Sequence, residues 1–333
     1  MIAVDANGAD QGPAAVAQGV ARSGVPVLVF GPAAELAGVA GPHAEIVDAP
    51  ETVKAGEEAV AAVRSKPDAS IVLAAAAVGA GRADALVSAG STGPTLAAAT
   101  LAVKRIKGVY RPALAVLMPI PGGPVLLLDA GASVEVRPEH LVQFAYMGAG
   151  FMEAVVGIER PSVGLLSVGE ESGKGTPGVL AAHDRIAEAG ALNFVGNVEG
   201  FDIPTAGADV VVADGFTGNV ALKVLESTLK AVATEIRSRI RSGAVSSIGG
   251  LLIRGKLANL RDDLDPEKVG GAILLGLRKP VVVAHGSFGP TGIEHAVKLA
   301  RRAVDEDMVG RTRVALESAD ALRSAPTASV AER

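Results

Sequence analysis

The 333-residue chain has no cysteine and no tryptophan, and only two tyrosines and seven phenylalanines. Without a thiol there is no disulfide, thiolate metal site, iron–sulfur cluster or cysteine nucleophile. With aromatics at 3% there is no stacking platform of the kind that single-stranded nucleic acid uses. The net charge of −5 gives no general basic field, so nucleic acid is not an expected partner. The uncharged stretch 112–128 is interrupted by Pro119, Pro121, Gly122, Gly123 and Pro124, which argues against a membrane-spanning helix. The first residues, Met1-Ile2-Ala3-Val4-Asp5, lack the basic region and long apolar segment of a signal peptide. A soluble, cytoplasmic protein is expected.

What is abundant is small and aliphatic: hydrophobic residues make up 49% of the chain, with 41 glycines. Short, continuously apolar runs indicate strands buried on both faces. They are expected at 2–5, 27–30, 45–47, 85–88, 113–117, 125–129, 163–166, 194–197, 210–213 and 281–284. Alanine- and leucine-rich segments between them predict helices over 14–22, 57–64, 94–104, 138–156, 177–189 and 219–241. This alternation predicts an α/β fold with a largely parallel, helix-covered sheet. One catalytic domain is expected over 1–312, with room for two subdomains around a cleft, followed by a flexible tail over 313–333. An amphipathic helical excursion is expected over 243–264.

Ligands of open α/β sheets gather at the carboxyl ends of strands. The residues there include Asp5, Gly8, Asp10 and Gly12, then Ser88, Gly90, Ser91, Thr92 and Gly93, then Asp129, Gly131 and Ser133. Further on come Glu170 and Lys174, then Asn197, then Asp214, Gly215 and Asn219, and finally His285. The stretch Ser88–Gly93 has the glycines, hydroxyls and following helix start of an anion cradle. A tight turn capped by Thr92, with Pro94 in the first helical turn, is the alternative. No dinucleotide, P-loop or GxSxG fingerprint is present, and no His/Asp/Glu spacing makes a metal site. Between Lys223 and Arg261, eight basic residues face two acidic ones, a local net of +6 inside an acidic protein.

Collinear segments across 2–305 resemble the bacterial phosphate acyltransferases of the PlsX type. They are AVDANGADQGP (3–13), DALVSAGSTG (84–93), RIKGVYRPALA (105–115), PVLLLDAGASVEVRPEHLVQFA (124–145), VGLLSVGEESGKG (163–175), LNFVGNVEGFDI (192–203), VVVADGFTGNVALK (210–223) and VVVAHGS (281–287). The resemblance implies acyl transfer from acyl-acyl-carrier-protein to inorganic phosphate, giving acyl phosphate for phospholipid synthesis. It implies a dimer with an isocitrate/isopropylmalate dehydrogenase-like, phosphotransacetylase-related fold and no cofactor. Departures from the family pattern are Asn7, Ala9, Gln11, Ser91, Ser133 and Glu135. Direct attack by phosphate needs no protein nucleophile. Lys174, Asn197, Asn219 and Lys223 are the expected oxyanion donors, and His285 the acid toward the leaving thiol. Arg237, Arg239, Arg241, Arg254 and Lys256 are expected to dock the acidic carrier, touch anionic lipid, or lie in the dimer contact. A β-decarboxylating dehydrogenase, a phosphotransacetylase using acyl-CoA and a non-catalytic carrier-binding homologue are the competing expectations.

Overall fold

The computed structural model describes residues 1–54 and 56–323. The chain begins β1 (Ile2–Asp5), α1 (Pro13–Ser23), β2 (Val27–Gly31), α2 (Ala33–Leu36), β3 (Ala44–Asp48), α3 (Ala59–Ser65) and α4 (Ser70–Gly79). It continues β4 (Ala85–Ser88), α5 (Thr92–Ala102), β5 (Ala113–Ile120), β6 (Gly123–Leu128), α6 (Pro138–Phe151), β7 (Ser162–Leu166) and α7 (Pro177–Ala189). Then come β8 (Asn193–Val198), α8 (Asp202–Thr205), β9 (Val210–Val212), α9 (Gly215–Arg241) and α10 (Ala244–Asp263). The last elements are β10 (Ala272–Leu275), β11 (Val281–Val283), α11 (Pro290–Asp305) and α12 (Met308–Ser318).

The strands form one sheet in the order β3-β2-β1-β4-β11-β10-β5-β6-β9-β7-β8. Each core strand is continuously apolar because helices cover both faces. Ile2 and Val4 point into one apolar cluster while Ala3, between them, points into the other. Leu126 and Leu128 likewise alternate with Val125 and Leu127. Each of the ten expected strands is present within two or three residues of its expected ends. β10 was not expected: its four apolar residues follow Gly270 and Gly271, both at positive φ, and so short a run carries no periodicity.

The decisive feature is a reversal in the middle of the sheet. β11 is parallel to β4, but β10 is antiparallel to β11, β5 to β10 and β6 to β5. After three antiparallel steps, the parallel set β6-β9-β7-β8 runs opposite to β3-β2-β1-β4-β11. The carboxyl ends of β1, β4 and β11 therefore lie along one edge of the sheet, and those of β6, β7, β8 and β9 along the other.

One further expectation is extended and another changes. The excursion is real: α9 buries only Gly215, Gly218 and Leu222, and α10 buries nothing, so the pair projects as a hairpin. The expected tail is helical from the start, because α12 carries buried Thr312 and Leu316 and the Arg323 amide bonds the Gly108 carbonyl. The remainder of that expected tail, 324–333, lies outside the described residues. Among the described residues no helix is long and apolar enough to cross a membrane.

Candidate active site

The expected site residues fall into two groups. At one edge, Asp5 closes β1 and Ser88 closes the adjacent β4, with Ala284 and His285 following β11 on the other side of β4. Asp5 is 2% exposed and accepts hydrogen bonds from Ser70 Oγ (2.6 Å), Ser88 Oγ (2.7 Å) and the Asn7 amide (3.3 Å). Ser88 Oγ in turn accepts from the Gly90 amide (3.1 Å) and lies 3.0 Å from the Thr95 hydroxyl. A buried carboxylate thus fixes the loop through one serine. Gly8 packs on it from the β1 side: its φ is 87°, and a Cβ there would come 3.2 Å from the Gly90 Cα.

Ser91, not Thr92, is the N-cap residue of α5, and its side chain makes no capping bond. The Gly90 amide is already committed to Ser88. The amides of Ser91, Thr92 and Gly93 have no protein acceptor among the described residues. These are orphan donors of a helix start, at its positive dipole end, and the Ser91 and Thr92 hydroxyls flank them. The space enclosed behind them by Asp5, Ser88, Ser91 and Thr95 is about 10 Å³, room for a single water. An anion fits only on the outer side, where Ser91 and Gly93 are exposed.

His285 and the β1 loop share this edge. The Asp10 amide donates to the Gly286 carbonyl at 2.9 Å and Gln11 Nε2 to the Ser287 carbonyl at 3.1 Å. The Ser287 amide lies 3.3 Å from His285 Nδ1, and an amide can only donate. Nδ1 is therefore an acceptor, which places the proton of the neutral ring on Nε2. Asp10, Gly8 and His285 are exposed, and Gly12 is half-buried at the start of α1.

The second group stands at the opposite edge. β9 lies five strand positions from β4, about 24 Å at ordinary strand spacing. This corrects the expectation that Lys174, Asn197, Asn219 and Lys223 polarise a thioester at Ser88–Gly93: within one chain they do not reach it. Their local roles are architectural where the bonding is clear. Asp129 accepts from the amides of Leu114, Gly131, Ala132 and Ser133 and so clamps its loop to β5. The Ser133 carbonyl accepts from the Gly215 amide at 2.8 Å. Asp214 caps α9 through the Thr217 amide and hydroxyl. Asn197 Nδ2 donates to the carbonyls of Glu171 and Lys174. Glu170, Lys174 and Asn219 are exposed, and Lys223 pairs with Glu226.

Sequence reasoning missed Ser70 and Thr95, which complete the Asp5–Ser88 network. Ser70 comes from α4, distant in the chain, and no local pattern marks it.

Burial pushes Asp5 up to about 6, against the lowering effect of Ser70, Ser88 and the Asn7 amide. Burial likewise pushes Asp129 up to about 6, against its four amides. A folded value above the unfolded one means that folding takes up a proton. That contribution to stability is present below about pH 4 and lost as the pH rises through about 6. Asp5→Asn should remove one of the two protons. Its unfolding free energy should fall less steeply between pH 4 and 6, by up to about 1.4 kcal/mol per pH unit. Denaturant titrations at several pH values read this directly, and identical slopes would refute the assignment.

The sheet and its two reversed halves define the class. A phosphotransacetylase from Streptococcus pyogenes superposes with a TM-score of 0.61 at 18% identity, over 92% of this chain and 94% of that one. A 4-hydroxythreonine-4-phosphate dehydrogenase from Klebsiella pneumoniae gives 0.53 at 15% identity, over 91% and 99%. At such identities the likeness is one of fold.

The family comes from sequence. The family model described as "Fatty acid synthesis protein" matches residues 1–311. A phosphate acyltransferase of Geobacillus sp. (strain WCH70) is 42% identical over 324 residues, covering 95% of this chain and 98% of the relative. That of Anoxybacillus flavithermus (strain DSM 21510 / WK1) is 47% identical over 265 residues, covering 79% and 80%. The chain belongs to this family of phosphate acyltransferases, acyl-transferring enzymes of fatty-acid and lipid synthesis.

Proposed function

We propose that the chain transfers a fatty acyl group from an acyl-acyl-carrier-protein to inorganic phosphate bound on the amides of Ser91, Thr92 and Gly93. The observation that carries this reading is the set of three unpaired amides at the start of α5, held in place by the buried Asp5–Ser88 network. A phosphate oxygen attacks the thioester carbonyl carbon, a C–O bond forms, and the tetrahedral oxyanion collapses by breaking the C–S bond. The thiolate takes a proton, and the products are acyl phosphate and free carrier thiol. Holding both reactants at one loop supplies much of the rate in such a direct transfer. His285 is exposed one strand position from β4, with Nε2–H left free by the contact of Nδ1 with the Ser287 amide, and is the proposed donor to the oxyanion or the departing sulfur. No step calls for a cofactor.

The α9–α10 hairpin is the proposed docking surface for the acidic carrier. Arg237, Arg239, Arg241, Arg254 and Lys256 are all exposed on it, with Arg239 paired to Glu235. Val245, Ile248, Leu251 and Leu252 are at least 63% exposed, which supports a homodimer or a transient membrane-surface contact through the same hairpin. A cytoplasmic location at the inner membrane face follows from that reading.

The test is incubation with acyl-carrier thioester and phosphate, scoring acyl phosphate. Phosphate-dependent release is expected, and its absence would overturn the proposal. Acyl-CoA in a parallel arm distinguishes the phosphotransacetylase-like alternative. Arg237→Glu with Arg241→Glu should raise the carrier KM about 10-fold and leave the phosphate KM unchanged, as reversal of surface charges at a steered interface does. An unaltered carrier KM removes the hairpin from carrier docking.

A further inference from the structure

A cavity of about 740 Å³, some seventy times the space behind Ser91, opens beside the start of β5. None of the residues that line it belongs to the phosphate cradle. Lys104, Arg105, Lys107, Arg111, Arg137 and Arg323 all face it, against a single carboxylate, Glu135. Among the described residues none of the six cations forms an ion pair. Two of them are held by neutral groups. The Arg105 guanidinium donates to the carbonyls of Val109 and Tyr110. The Arg137 guanidinium sits 5.3 Å from the centre of the Tyr110 ring and 3.4 Å from His140 Nε2. Burial, together with the charges of Arg137 and Arg111, holds the His140 imidazole below its usual range. Six exposed cations with one carboxylate among them leave the cavity strongly electropositive. Such a surface attracts anions, and guanidinium forks suit phosphate oxygens.

The cavity is joined to the cradle by one helix. α5 starts at Ser91–Gly93 and ends at the cavity, which Thr100 and Lys104 line. Thr92, Leu96 and Thr100, at i, i+4 and i+8, share one face and are all half-buried. Eight residues of helix span about 12 Å, and Lys104 lies a turn further on. A pantetheine arm has roughly thirteen bonds between its phosphorus and its sulfur, about 16 Å when extended at ordinary bond lengths.

We infer that this cavity holds the phosphoester of the acyl donor's pantetheine arm, with the arm laid along the Thr92–Leu96–Thr100 face so that its thioester reaches the phosphate at Ser91–Gly93. The inference rests on the proposed acyl transfer for its donor, and on the cavity's own chemistry for its ligand class. The phosphoester is common to carrier-borne pantetheine and to coenzyme A. The cations orient the donor and take no part in bond making.

Calorimetric titration without turnover tests this, using phosphopantetheine, coenzyme A and inorganic phosphate as separate probes. Lys107→Glu with Arg111→Glu reverses two exposed charges that make no bond the fold depends on. The double variant should bind phosphopantetheine at least 10-fold more weakly than the unsubstituted protein, Arg111→Lys should bind nearly as tightly as the parent, and the phosphate KM should be unchanged. Equal binding of phosphopantetheine by parent and double variant would overturn the inference. So would a cavity that inorganic phosphate fills as tightly as phosphopantetheine does. Coenzyme A binding 10-fold tighter than phosphopantetheine would identify the nucleotide-bearing donor, and equal binding the carrier-borne one; either supports the phosphoester site. Acyl phosphate formation with unaltered phosphopantetheine binding sinks this inference alone. Lost acyl transfer with the expected binding pattern sinks only the proposed reaction.

Discussion

Gly93→Asp is expected to lower kcat/KM for phosphate by about 100-fold while leaving the fold intact. Gly93 is the second residue of α5, exposed, and a Cβ there would meet only the Ala59 Cβ, at an ordinary 3.5 Å. The new side chain therefore fits, and it helps the helix: an acidic group in the first turn favours the dipole by about 0.5 kcal/mol. The same carboxylate covers the amides that phosphate needs. Two like charges about 4 Å apart near a protein surface repel by about 4 kcal/mol, reduced here by solvent screening. A net loss near 2.7 kcal/mol corresponds to the stated 100-fold. Steady-state kinetics beside a denaturation curve separate the two effects. A variant that keeps its phosphate kinetics would show that the cradle is only a turn.

Gly218→Ala is expected to destabilise the protein by about 3 kcal/mol, against what helix propensity alone predicts. Gly218 lies inside α9, where alanine is ordinarily favoured by about 1 kcal/mol. A Cβ at this position, however, would stand 2.2 Å from the Asp129 carbonyl oxygen and 3.1 Å from its carbon, both backbone atoms. Asp129 is fully buried and holds its loop through four amides, so it has nowhere to retreat. α9 must lift instead, stretching the Gly215–Ser133 bond and exposing Leu222. Overpacking of this kind costs about 1–3 kcal/mol, and the lost propensity gain and bonding bring the expected value to the upper end. A urea midpoint equal to or above that of the parent would contradict the close packing of α9 on this loop.

Both variants sit in motifs visible in the sequence, yet only the structure shows that they belong to different edges of the sheet. Strand positions were legible because fully buried strands are continuously apolar; Ile2–Asp5 and Ala85–Ser88 needed no more than that. Strand direction was not legible. It is set largely by pairings between residues far apart in the chain, such as Leu114 with Leu274 and Leu126 with Val210. β10, short and glycine-flanked, left no periodic trace; being antiparallel to both neighbours it leaves β5 running with β11, and the net reversal comes at the β5–β6 step. A list of glycine-rich strand ends therefore merged two groups that the sheet keeps apart. Lys174 and Asn219 joined Ser91 on paper for that reason. The cradle itself was legible because it is local: Ser88, Gly90, Ser91 and Gly93 fall within six residues. Its fixing by Ser70 through Asp5 was not, because that contact spans three helices and two strands. The segment 105–115 was conspicuous as a family motif, but its cations became a cluster only when Arg137 and Arg323 were folded beside them.

The central claim is that inorganic phosphate binds at the start of α5. Amide resonances of isotope-labelled protein, followed while inorganic phosphate is added, test it most directly. The account predicts that the amides of Ser91, Thr92 and Gly93 shift first and most, and are half-saturated near the concentration that gives half-maximal velocity. Silent cradle amides, with the largest shifts at the Asp129–Ser133 loop or around Lys174, would contradict it and place the phosphate site at the opposite edge of the sheet.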